Sequence, residues 1–281
     1  MKRLSEDEKM WKAHKTLRHI KESISGWSEG TFSNYQPYFI RMNPEVEPEN
    51  SIEYTTEKQV EADYPPEIFM TSAGKIDLHD EGEFGGYLAI GGNHVLDGNY
   101  SKIFEYCGEK YVIDDLKHMA CATFRLVKVN DNGTVEILYD AEKAEKNQYN
   151  DEEKNNMSPE IGLESFCIGE GIEGEPVVYF LCKGTVYNFT KEGSERYNKK
   201  QYLLIYNANN KDHSFIRIDL PIDKVEFSMV TSIWCDSMML AIGCDKEVVM
   251  VYLPTMETEY WTGVDESEEK AILKVKYQYK I

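Results

Sequence analysis

The chain has no run of about 18 consecutive apolar residues, so nothing in it reads as a membrane-spanning helix. Its start, Met1-Lys2-Arg3-Leu4-Ser5, is not followed by the apolar stretch of a secretory leader, and a cytoplasmic address is expected. Basic residues are few: 31 Lys and Arg stand against 50 Asp and Glu, a net charge of −19. That balance argues against nucleic acid, whose phosphates call for clustered positive charge, and also against an anionic membrane surface. Six cysteines occur, at 107, 121, 167, 182, 235 and 244, and none forms a Cys-x-x-Cys pair. Free, mostly core thiols are expected rather than a zinc knuckle or redox site.

Signatures of common catalytic machinery are also missing. No Gly-x-Ser-x-Gly elbow, phosphate-binding Gly-x-x-x-x-Gly-Lys-Ser/Thr loop or His-Glu-x-x-His helix is present. Gly169-Glu170-Gly171-Ile172-Glu173-Gly174 has the letters of a dinucleotide fingerprint. Its glutamates would repel a pyrophosphate, and a Val-Val-Tyr-Phe strand follows where a helix is needed, so the segment reads as a turn. His79, Asp80, His94 and His118 include good metal donors, but no spacing gathers them. No metal and no cofactor are expected.

What is present divides into one helix and many strands. Met10, Ala13, Leu17, Ile20 and Ile24 recur at spacings of three and four, which predicts an amphipathic helix within residues 1–26. Ser5 with Glu8 reads as its capping box and Gly26 as its stop. Residues 1–21 hold seven basic and three acidic residues, which leaves −23 on the rest. From about residue 35 the pattern becomes strand and turn. Ala122–Val129 and Thr134–Tyr139 flank Asn130-Asp131-Asn132-Gly133, the clearest hairpin in the chain. Tyr202–Tyr206 with Phe215–Ile218, and Met238–Ile242 with Val248–Leu253, read as two more. Residues 43–66, rich in proline and glutamate, and the polar run 141–160 read as solvated loops, the second with room for a helical turn. Roughly 18 strands are expected.

Leu88-Ala89-Ile90-Gly91 returns as Leu240-Ala241-Ile242-Gly243, 152 residues later, an offset that three blades of about 50 residues would give. Val230–Trp261 reads as one complete blade, with Trp234, Leu240, Ile242, Val249 and Val251 facing inward. Residues 35–281 thus resemble β-propeller repeat proteins in architecture. The Trp-Asp and Gly-His dipeptides of the WD40 type are absent. The resemblance implies an all-β, propeller-like array of four or five blades behind the N-terminal helix, with residues 273–281 closing the array; a β-sandwich pair or an irregular barrel is the alternative.

Two glycine-bearing turns carry concentrated acid: Asp80, Glu81 and Glu83, and Glu170, Glu173 and Glu175. Loops on a rigid scaffold are where binding residues gather. These six are the candidate binding residues, and the expected partner is a basic protein. Acidic immunity proteins that neutralise cationic toxins fit the same physical description, as do scaffold proteins, although no immunity-family motif is present. The alternative is a carbohydrate-active enzyme of glycoside-hydrolase type, with two facing carboxylates in a propeller cleft and some of the 19 tyrosines lining it.

Overall fold

The computed structural model describes residues 38–41, 52–53, 68–81, 85–118, 121–189, 195–210, 215–221, 227, 230, 232–244 and 247–264. The helix expected within 1–26, the closing strand 273–281 and nearly all of the loop 43–66 lie outside them. The described chain is all-β, in four separate antiparallel sheets, none closed on itself. Strands β1 (Tyr38–Arg41) and β2 (Ile52–Glu53) come first. Then β3 (Met70–Thr71), β4 (Gly74–Asp80), β5 (Gly86–Ile90) and β6 (Asn93–Asp97) pair in sequence order. The next sheet does the same with β7 (Tyr100–Tyr106), β8 (Glu109–His118), β9 (Cys121–Val129) and β10 (Val135–Asp140). The third holds β11 (Met157–Glu170), β12 (Pro176–Phe189), β13 (Glu195–Tyr206) and β14 (Phe215–Asp219). The last joins β15 (Ser232–Cys235), β16 (Met239–Gly243), β17 (Glu247–Tyr252) and β18 (Glu257–Val264), and is extended by β1 and β2.

All three expected hairpins are present. In the first, Val135 pairs with Val129 across a turn in which Gly133 takes φ +82°, a conformation that asparagine-glycine turns supply cheaply. The chain's early strand also meets a late one: Tyr38 pairs with Val264 and Arg41 with Trp261.

The run 141–160 has the helical turn that its sequence allows but is less of a solvated loop than expected. It holds α1 (Ala141–Lys146), α2 (Asp151–Lys154) and the first residues of β11. Ala141 and Glu145 are buried, and the Glu145 carboxylate meets the Lys200 ammonium of β13 at 2.9 Å. A contact 55 residues away leaves no periodic trace in Ala-Glu-Lys-Ala-Glu-Lys. Pro159 sits within β11 because β11 is an edge strand, where one missing N–H breaks no ladder bond.

The chain divides into two compact units. One takes Met1–Ala62, Ser165–Leu181 and Leu203–Ile281; the other takes Asp63–Glu164 and Cys182–Tyr202. In the first unit the core gathers Val177, Tyr179, Leu203, Ile233, Leu240, Ile242, Val249 and Val251. Strand β16 is buried on both faces, which is why it reads as an unbroken apolar run rather than an alternation. Register decides which side chains share a face. Ile233 pairs with Ile242 and Ile242 with Val249, whereas Trp234 pairs with Ala241 on the opposite face. Ile233, not Trp234, therefore completes the inward set expected from the sequence. In the second unit Ile76, Leu88, Ile90, Val112, Val127 and Val129 form the core.

The two Leu-Ala-Ile-Gly runs both fall on deeply buried inner strands, yet at different places: the third strand of one meander and the second of the other.

The second unit also contains a buried ionic cluster. Arg125 donates through Nε and Nη2 to Asp114 Oδ2, while Asp114 Oδ1 accepts the Asn99 backbone N–H at 2.6 Å. Arg125 Nη2 also donates to the Asp97 carbonyl at 2.9 Å. The β6–β7 connection is thereby tied to β8 and β9. Burial, then the Asp114 charge, push the Tyr100 hydroxyl far above its ordinary pKa.

Candidate functional site

The two acidic clusters fall in different units and are built differently. In the first, Asp80 ends β4, paired with Gly86, and exposed Glu81 follows, its N–H donating to the Gly85 carbonyl at 2.8 Å. Glu83 lies outside the described residues. Beside this turn three rings stack across β4, β5 and β6: His79 on Tyr87 at 4.3 Å, and Tyr87 on His94 at 4.6 Å. His94 Nε2 lies 2.9 Å from Asp97 Oδ1. Two of the three histidines considered as metal donors, His79 and His94, thus stack on Tyr87, and among the described residues no group of three or more His, Cys, Asp or Glu is arranged to hold a metal.

The second cluster is more organised. The turn joining β11 to β12 closes with the Gly174 N–H donating to the Gly171 carbonyl and Gly174 at φ +81°. This is the geometry of a type I turn followed by a left-handed glycine. The Glu175 side chain folds back over it. Its Oε2 accepts the Glu173 N–H at 2.8 Å and its Oε1 accepts from Asn207 Nδ2 at 3.4 Å. A side chain at Gly171 would collide with that carboxylate. Glu170 is exposed at the end of β11, bridges to Asp236, and lends its carbonyl to the Tyr179 hydroxyl at 2.8 Å.

Within the same unit this turn borders a cleft of about 810 Å3. Its floor is apolar, formed by Val177, Tyr179, Ile205, Ile218 and Leu253, and its rim is polar, with Glu173, Glu175, Asn207, Asn209, Asn210 and Ser237. Ile172 and Ile216 stand at the rim, 76% and 49% exposed. Among the described residues no lysine, arginine or histidine lines it. Burial is the main reason the Tyr179 hydroxyl sits far above its ordinary pKa, and the nearby Cys235, Asp236, Cys167 and Glu175 add to it. That hydroxyl is a hydrogen-bond donor, already committed to Glu170, and not a base.

The sequence located Glu173 and Glu175 but not their neighbours. Asn207, Asn209 and Asn210 read only as a turn, which they also are: Asn207 Oδ1 accepts the Asn209 N–H at 3.0 Å. The apolar floor comes from strands far apart in sequence and carries no local mark. Chemically, the cleft offers one carboxylate, on Glu173, with no side-chain partner among the described residues, beside a second that is fixed by the turn. That arrangement suits holding a cation over an apolar surface.

No family model and no curated protein matches this chain. Among the described residues no helix is long and apolar enough to cross a membrane.

Proposed function

We propose that this protein is a non-enzymatic binding module that recognises a basic protein partner, in the manner of an inhibitor, immunity or scaffold protein. The observation that carries the reading is the cleft beside the 171–175 turn: an apolar floor, an acidic rim and no basic lining residue among those described. Opposite charge speeds encounter and penalises like-charged competitors, while the apolar floor supplies the slow-release contact. The fold that fits this role is a small propeller-like array, each four-stranded meander serving as one blade. The pairing of β1 with β18 supports it, because a joint between an early and a late strand covers the β18 edge and leaves β2 as the outer strand of that sheet. A cytoplasmic compartment suits a chain with six cysteines and no Cys-x-x-Cys pair. The glycosidase alternative needs two available carboxylates facing each other, and Glu175 spends both oxygens on Asn207 and the Glu173 N–H.

The test is affinity capture from lysate at about 0.05 M and about 0.5 M salt, a range over which the Debye length shrinks well below its ~10 Å value at 0.1 M. Wild-type protein is compared with Glu173→Gln/Glu175→Gln, and captured proteins are identified by mass spectrometry. Basic proteins held at low salt, released at high salt and lost with the double variant support the reading. Identical capture by both forms means that the acidity serves solubility alone.

A further inference from the structure

The mixed chemistry of the cleft narrows what it holds, and this step rests on the binding reading above. We infer that it is an anchor pocket for an extended Arg-x-Leu segment of the partner, the guanidinium meeting Glu173 and the leucine resting on the apolar floor. Three observations carry this. The cleft, about 810 Å3, lies within the roughly 300–1,000 Å3 range of ligand pockets and exceeds the need of one side chain. Its acid comes from the exposed Glu173 of the turn, while the less exposed Val177, Ile205 and Ile218 supply the apolar lining. The rim residues Ile172 and Ile216 leave apolar surface in water that an incoming aliphatic group would cover.

In an extended chain residues i and i+2 point the same way, so one face of Arg-x-Leu presents both groups together. Arginine fits better than lysine because its guanidinium is weakly hydrated and offers five donors in a plane. A half-apolar cleft desolvates it at lower cost, and carboxylate and amide oxygens at the rim can accept from it.

The probe is the peptide acetyl-Gly-Arg-Ser-Leu-Gly-amide, titrated into the full chain by calorimetry. Replacing its arginine by citrulline keeps shape and removes charge; replacing its leucine by serine removes the apolar group. Each change is expected to weaken binding by about tenfold or more, as is Glu173→Gln, since a hydrogen bond to a charged group is worth about 1.5–3 kcal/mol. Ile172→Ser/Ile216→Ser, both at exposed positions on the rim, should reduce the preference for leucine over serine, the apolar floor keeping the remainder. Glu81→Gln, in the other unit, should change nothing. Equal binding of the citrulline or serine peptide, or equal loss with Glu81→Gln, overturns the proposal. If the parent peptide does not bind while salt-sensitive capture of basic proteins persists, this inference fails and the broader reading stands. If both are absent, both fail.

Discussion

Replacing Asp114 by alanine should be among the more damaging single changes in this protein. The carboxylate is 3% exposed and accepts three donors, two from Arg125 and one from the Asn99 backbone. Removing it leaves a guanidinium that is only 26% exposed with its main counter-charge gone, although the Asp97 carbonyl still accepts from Nη2. Breaking a fully buried pair costs about 3–5 kcal/mol; partial access of Arg125 to water reduces this to about 2–4 kcal/mol. The double change Asp114→Leu/Arg125→Met removes both charges and substitutes apolar volume, so it should recover at least half of the loss. Urea denaturation followed by far-UV circular dichroism measures all three forms. The described tryptophans, Trp234 and Trp261, belong to the other unit, so their fluorescence would report the wrong region. A double variant no more stable than Asp114→Ala would refute the reasoning, because the loss would then come from packing and not from a stranded charge.

Four further outcomes are expected. Ile242→Ala, at a fully buried position in the first unit's core, should lower stability by about 2–5 kcal/mol, read as a drop in the urea midpoint with unchanged slope. Gly169→Ala should be poorly tolerated because its new methyl group would collide with the Cys235 carbonyl, and a thermal melt far below wild type is expected; an unchanged melt would show that β11 and β15 do not approach so closely. Burial holds the Cys167 thiol up to about 12 against an ordinary value of 9.0, partly offset by a backbone hydrogen bond at Cys235. The unfolded chain therefore loses that proton first, and stability should fall as pH rises from about 9 toward 12. In the native state Cys107, exposed at the β7–β8 turn, should react with a thiol reagent well before Cys167; equal rates would contradict the burial.

Short apolar runs bounded by turn residues were enough to place the three hairpins, the first of them marked also by alternation and an asparagine-glycine turn, because these are local backbone requirements that a few adjacent residues satisfy. The apolar run of β16 likewise announced an inner strand. The buried role of Glu145 was hidden, since its partner Lys200 is remote and a glutamate inside Ala-Glu-Lys-Ala-Glu-Lys has the composition of a solvated turn. Trp234 was misjudged by one residue of register, which in a strand exchanges faces. The acid of Glu173 and Glu175 was visible as composition, but the cleft beside it was not. Local chemistry dictated which segments would be strands and which turns would carry charge. Tertiary packing alone decided that Val177, Ile205, Ile218 and Leu253, drawn from four strands and their ends, would share one floor under that charge. No spacing along a chain encodes a surface assembled from residues 76 positions apart.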